Sequence, residues 1–142
     1  PHTDNVMRAI VPVVLVALLA ACGTTDPATP DGLSFATRGE KFELGGPMPI
    51  TLVNGSDTEV GYNFCQRYWE QRVNGSWVRF EELILCTPSF APLAAGATAE
   101  EQLGVPYGLT PGTWRIATSV LLDGDSRTLV SNEFEIEAGL AR

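Results

Sequence analysis

The stretch PGTWRIATSVLLDGDS, residues 111–126, decides the fold. Trp114, Ile116, Thr118, Val120 and Leu122 recur at every second position, so an extended strand places them on one face. Pro111-Gly112 introduces the run. Asp123-Gly124-Asp125-Ser126 supplies the turn that sends the chain back through Arg127 to Ile136.

Upstream of it the chain keeps the same grammar. Leu33 to Thr37 reads as a first strand, Lys41 to Leu44 as a second, and Pro49 to Val53 as a third that stops at Asn54-Gly55-Ser56-Asp57. Val60, Tyr62 and Phe64 share a face at period two. Gln66–Val73 and Trp77–Phe80 flank Asn74-Gly75, a two-residue hairpin signal. Ala97 to Val105 is a more polar strand, suited to an edge or a solvated face. No amphipathic helix is legible after Leu33. The expected architecture is all-β: an antiparallel sandwich of seven or eight short strands, with helix close to nil.

The residues before Leu33 read differently. Ala9 to Ala21, AIVPVVLVALLAA, is a run of thirteen without a charge, preceded by Met7-Arg8. As a helix it spans about 20 Å, short of the roughly 30 Å hydrocarbon core. That length suits the apolar region of a signal peptide, with Arg8 as its basic start. A core helix would not be apolar on every side and open onto a Pro/Thr tract. Leu19-Ala20-Ala21-Cys22-Gly23 then resembles the lipobox of bacterial lipoproteins. The resemblance implies a diacylglyceryl group on the Cys22 thiol and cleavage just before it. Two or more acyl chains give stable membrane anchoring where one does not. Pro1 to Val6 precede Met7, which reads as the natural start. Thr24 to Gly32, TTDPATPDG, has no apolar periodicity and reads as an extended tether. The expected organisation is thus signal peptide over 1–21, lipidated Cys22 and tether over 22–32, sandwich over 33–138 and a tail over 139–142.

With Cys22 assigned to lipid, Cys65 and Cys86 remain as a pair outside the reducing cytosol, and a structural disulfide is expected. Closing a loop of that length stabilises a fold by about 3 kcal/mol in the chain-entropy picture. A zinc or redox site is the other reading. CxxC spacing is absent and His2 is the sole histidine, so ligands are too few.

KFELGGPMPITLVNGSDTEVGYNFC (41–65), NGSWV (74–78), Cys86, LAAGATAEEQ (93–102), LTPGTWRI (109–116) and VSNEFEI (130–136) together resemble the bacterial Ig-like domain of secreted lipoproteins. The match covers about residues 33 to 137. It implies an Ig-like sandwich in which Trp114 plugs the core, at a position where the family more often has Tyr. Cys65 and Cys86 lie too close in sequence for the antibody arrangement, so antibody-type recognition does not follow.

The formal charge of −8 makes nucleic acid and anionic lipid poor partners. Once cleaved before Cys22 the chain would hold no histidine, which excludes Ser-His-Asp and Cys-His catalysis. Glu81-Glu82 and Glu100-Glu101 read as solvated surface, since strand neighbours point to opposite faces. Asp123 to Ser126 offers oxygen ligands for calcium, but lacks a closing bidentate Glu and sits where a hairpin turn is wanted. Tyr62, Tyr68, Trp69, Trp77 and Tyr107 read mostly as core. Tyr68 and Trp69 are adjacent, so one of them faces outward, and the pair supplies the candidate contact residue.

The expected role is therefore a non-enzymatic, lipid-anchored extracytoplasmic module for protein interaction or envelope structure. It would act without cofactor or metal, its partners being the membrane through Cys22 and a protein or envelope component. The alternative is a proteinase-inhibitor-like sandwich. N-x-S turns, an L-x-x-G bend and the PG-x-W strand are similar to the bacterial intracellular proteinase inhibitor family, although export and a disulfide sit badly with it. A carboxylate-only hydrolase would need two acids about 5–10 Å apart across a cleft.

Overall fold

The computed structural model describes residues 31–139. The expected signal peptide, Cys22 and most of the tether lie outside the described residues. Ten strands follow in order: β1 (Leu33–Thr37), β2 (Lys41–Glu43), β3 (Pro47–Asn54), β4 (Val60–Val73), β5 (Ser76–Phe80), β6 (Ala91–Leu93), β7 (Thr98–Gly104), β8 (Gly112–Leu122), β9 (Asp125–Val130) and β10 (Phe134–Glu137). Among the described residues there is no helix. A three-stranded sheet, β1-β3-β7, faces a seven-stranded one ordered β2-β10-β8-β4-β5, with β6 added to β4 and β9 to β8.

The core is the set of alternating inward positions. Leu33 and Phe35 on β1 and Met48, Ile50 and Leu52 on β3 meet Trp69, Trp114, Ile116, Val120, Phe134 and Ile136 of the larger sheet, all buried. Thr118 and Leu122 complete the expected β8 face and are buried with them. Trp114 reaches Thr110 O with its indole N–H at 2.9 Å, so its one polar atom is satisfied. Both short hairpins take left-handed backbone at two successive residues, Asn74-Gly75 (φ 50° and 81°) and Asp123-Gly124 (φ 52° and 83°). That geometry matches the strand twist, and it assigns Asp123-Gly124 to a turn.

Three features depart from the sequence expectation. First, the strands number ten rather than seven or eight, partly because the return after Asp125 splits in two. Ser131 interrupts it: its amide donates to Ile116 O (2.8 Å) while its hydroxyl accepts from Ile116 N (3.0 Å). Asn132 then bonds Thr37 N and Thr37 Oγ1, carrying the chain over to β1. Second, β10 pairs with β2 in parallel, so the sheets are not wholly antiparallel. Third, Val60–Phe64 and Gln66–Val73 form one strand. A bulge between Tyr62 and Arg67 keeps it continuous against β8.

At the end of the sandwich where the described chain begins, Asn54 is fully buried and acts as a junction. Its amide nitrogen lies within hydrogen-bond distance of Thr58 O (2.8 Å), Leu93 O (3.0 Å) and Ala94 O (3.1 Å). Its carbonyl oxygen accepts from Ser56 N and Ser56 Oγ. One side chain thereby ties β3, the turn after it and the end of β6.

Candidate functional site

The bulge in β4 fixes what the larger sheet shows to solvent. Trp69 points inward, is fully buried, and makes an edge-on contact with Phe134 at 6.2 Å. It is a core residue, which removes it from the contact pair. Tyr68 points outward, in step with Glu70 and Arg72. Glu70 stands opposite Arg79 of β5 and Arg115 of β8, and Arg72 opposite Trp77. The arginines sit over the rings. Arg79 is 3.9 Å from the Tyr68 centroid, and Arg115 is 4.2 Å and Arg72 5.9 Å from that of Trp77. Carboxylates orient them: Glu70 with Arg115 at 2.6 Å, Glu81 with Arg79 at 3.2 Å and Glu133 with Arg72 at 3.4 Å. The outer face of β4-β5-β8 is thus a patch of two half-buried aromatic rings and three stacked guanidinium groups. Of the other aromatics, Tyr62 packs on Phe64 at 5.0 Å and Tyr107 is exposed beside Gly45.

A second feature lies along the free edge of β4. β5 pairs with it as far as Trp69–Phe80, and β6 resumes at Tyr62–Ala91. Ten residues, 81–90, therefore lie opposite six, 63–68, and the surplus must bulge outward. The expected disulfide closes this gap: Cys65 and Cys86 are bonded, 21 residues apart. Asn63 braces the returning limb, its amide donating to Thr87 O and Ser89 O at 2.8 Å each. Glu82 braces the outgoing limb. Its Oε2 accepts from Arg67 Nη2 and from Trp69 Nε1, both at 3.2 Å. Between the braces Leu83 and Leu85 are fully exposed, with Ile84 half turned in.

The acid pairs do not converge. Glu81 and Glu82 lie beyond the end of β5 and part company, Glu81 to Arg79 and Glu82 inward. The solvated reading therefore fails for Glu82, because Arg67 and the Trp69 N–H need an acceptor there. Glu100 pairs with exposed Arg38 at 2.9 Å, and Glu101 is exposed. An open depression of about 470 Å³ holds Glu40, Glu133 and Glu135. There Glu135 accepts from Thr113 Oγ1, and Glu133 is turned to Arg72. Among the described residues no three His, Cys, Asp or Glu side chains are grouped to hold a metal. On the neighbouring edge, the hydrogen bond from Lys41 to Glu137, with their charge attraction, raises the lysine's pKa above its ordinary value.

Sequence reasoning reached Tyr68 but not the three arginines around it. Nor did it reach the apolar tip, whose signal was legible: Leu83-Ile84-Leu85 begins a run of seventeen residues without a charge, ending at Ala99.

No family model matches the chain, and no curated protein does. Among solved structures it is similar to the structural-genomics target SoR45, at 11% identity and TM-score 0.47 over 78% of this chain and 87% of that one. It is also similar to the alkylpurine DNA glycosylase AlkC of Pseudomonas fluorescens bound to DNA containing an abasic site analog, at 16% identity and TM-score 0.38 over 75% of this chain and 30% of that one. A β-glucosidase from Listeria innocua in complex with isofagomine follows, at 16% identity and TM-score 0.34 over 75% of this chain and 16% of that one. At these values none of the three bears on function.

Proposed function

We propose that the chain is the precursor of a lipid-anchored, extracytoplasmic lipoprotein. Its Ig-like sandwich would be a non-catalytic module that binds a protein of the cell envelope through the outer face of β4-β5-β8. The anchor reading rests on Arg8, the apolar run Ala9–Ala21 and the box Leu19–Gly23. The binding reading rests on one observation: Tyr68 and Trp77 lie under Arg72, Arg79 and Arg115 on the outer sheet face. Tyr, Trp and Arg are the side chains that dominate protein–protein hot spots. Their stacking and ion pairs hold them near one conformation before any partner arrives, which lowers the entropy lost on binding.

A photo-crosslinking phenylalanine in place of Tyr68, expressed in the native host, tests this. The expected result is one discrete protein adduct that disappears when Arg115→Glu is added. Absence of any adduct from positions 68 and 77 in a correctly localised protein would refute it.

One observation favours the proteinase-inhibitor reading, namely the protruding loop 81–90 with both limbs braced. Against it, among the described residues the non-glycine positions with left-handed backbone are Asn74 and Asp123, at the hairpins and away from that loop. Nanomolar inhibition of a proteinase, lost on Leu85→Asp, would establish the inhibitor instead.

A further inference from the structure

The braced loop calls for a different surface from the Tyr/Trp/Arg face. We infer that Leu83 and Leu85 insert into the zwitterionic lipid bilayer to which Cys22 is anchored, laying the β4–β6 edge of the sandwich on the membrane. The inference rests on the lipoprotein reading.

Four observations carry it. The tip is aliphatic, with Leu83 102% and Leu85 104% exposed and no aromatic or hydrogen-bonding side chain between Leu83 and Leu85. Leucine is under-represented in protein hot spots, whereas burial in acyl chains is non-directional and asks only for apolar surface. The tip is also convex, so it fits a yielding medium more readily than a partner that must offer a matched pocket.

Charge points the same way. From Leu83 to Ala99 the chain has no charged side chain, the longest such run among the described residues. At the loop's base Glu81 and Glu82 are each paired with an arginine. Exposed Ala91, Pro92, Ala94 and Ala95 continue the uncharged strip away from the tip.

The strip ends where the chain comes in from the anchor. Leu93 O and Ala94 O bind Asn54, and Asn54 is the β-partner of Leu33. Cys65, which holds the loop, is five positions into β4 from Val60, at most about 17 Å along a strand shortened by the bulge. The ten residues Gly23 to Gly32 can span up to about 34 Å. The tether is thus long enough for anchor and loop to reach one bilayer together. Once the anchor is in, docking of the loop is intramolecular, so two leucines suffice where they would not from solution.

Exposed Asp57 and Glu59 in the adjoining turn would repel anionic headgroups, which selects a zwitterionic surface.

The test uses the full acylated chain carrying Leu85→Trp, reconstituted in phosphatidylcholine vesicles with brominated acyl chains. The added emission is expected to be quenched. That of Val78→Trp, on β5 and outside the strip, is expected to persist. Adding Leu83→Asn to the Leu85→Trp chain should weaken the docked state roughly tenfold, the effect of one buried leucine. Intact mass on the same preparation reports acylation independently. An acylated chain with unquenched Leu85→Trp overturns the inference and leaves the anchor standing, whereas an unacylated chain overturns both. A tip unquenched in pure lipid but shielded in native membranes would assign the loop to a protein and overturn the inference as well.

Discussion

Replacing Asn54 separates the roles of its two amide atoms. The side chain is fully buried, so each hydrogen bond it makes has no water to replace it. Asn54→Ala removes the donor shared by Thr58 O, Leu93 O and Ala94 O and the acceptor used by Ser56. Of these the bond to the Leu93 carbonyl is the buried one. Counting about 1 kcal/mol for each of two lost donor bonds and about 1 kcal/mol for the lost acceptor of Ser56 gives a loss of about 3 kcal/mol. Asn54→Asp keeps the shape and the Ser56 bonds, but aims a carboxylate oxygen at three carbonyls. At pH 7 its loss should reach about 4 kcal/mol or more. Burial and the facing carbonyls raise that carboxyl's pKa in the folded state above the unfolded value of about 3.9. The folded state then binds more protons than the unfolded one, so the variant's stability falls as pH rises and recovers on acidification. Alanine has no such dependence. Urea unfolding followed by tryptophan emission, at pH 7 and near pH 4 with the disulfide intact, measures both variants. An Asn54→Asp protein as stable as its parent at pH 7, or one that does not recover relative to Asn54→Ala in acid, would refute the junction.

Other expectations follow from the same contacts. Replacing Cys65 and Cys86 together by serine should destabilise the domain by about 3 kcal/mol from loop closure over the 21-residue separation, measured by urea unfolding against the oxidised parent. Glu82→Ala strands Arg67, whose side chain is 12% exposed, and should cost about 2 kcal/mol; under limited proteolysis the new cuts should fall within residues 81–90. Gly124→Ala must place a Cβ at φ 83° and should lose about 1 kcal/mol. The Lys41–Glu137 pair contributes below the lysine's ordinary pKa and loses that contribution as pH rises through its raised one. The alkaline limb of the stability curve should therefore flatten in Lys41→Met.

What the sequence made legible and what it hid have one physical cause. β8 is regular, so period two named its buried face from Trp114 to Leu122, and both Asn-Gly and Asp-Gly took the turns their left-handed tolerance implies. β4 is not regular. Val60, Tyr62 and Phe64 face inward at even positions, but past the bulge the inward positions are odd, Trp69 among them. An inserted odd number of residues reverses the parity of a strand, and no local pattern in NFCQ announces it. Adjacency alone could say that one of Tyr68 and Trp69 points out, and only the register says which. The arginine stack was hidden for a similar reason. Arg72, Arg79 and Arg115 come from three strands, and cross-strand register, not sequence spacing, brings them onto two rings. The split of the return strand turned on Ser131, whose hydroxyl stands in for a ladder partner. By composition that residue is indistinguishable from a solvent-facing serine.

The stapled loop and the stacked face stand on the same strand, and the disulfide that holds one is expected only outside the cytosol. Export, anchoring and the staple therefore stand or fall together. The most direct test is the intact mass of the protein purified from membranes of its native host, with and without reductant and a thiol label. The account predicts a mass equal to cleavage before Cys22 plus acyl chains, with Cys65 and Cys86 labelled only after reduction. An unacylated chain that retains Met7 and labels at both cysteines without reductant would contradict it.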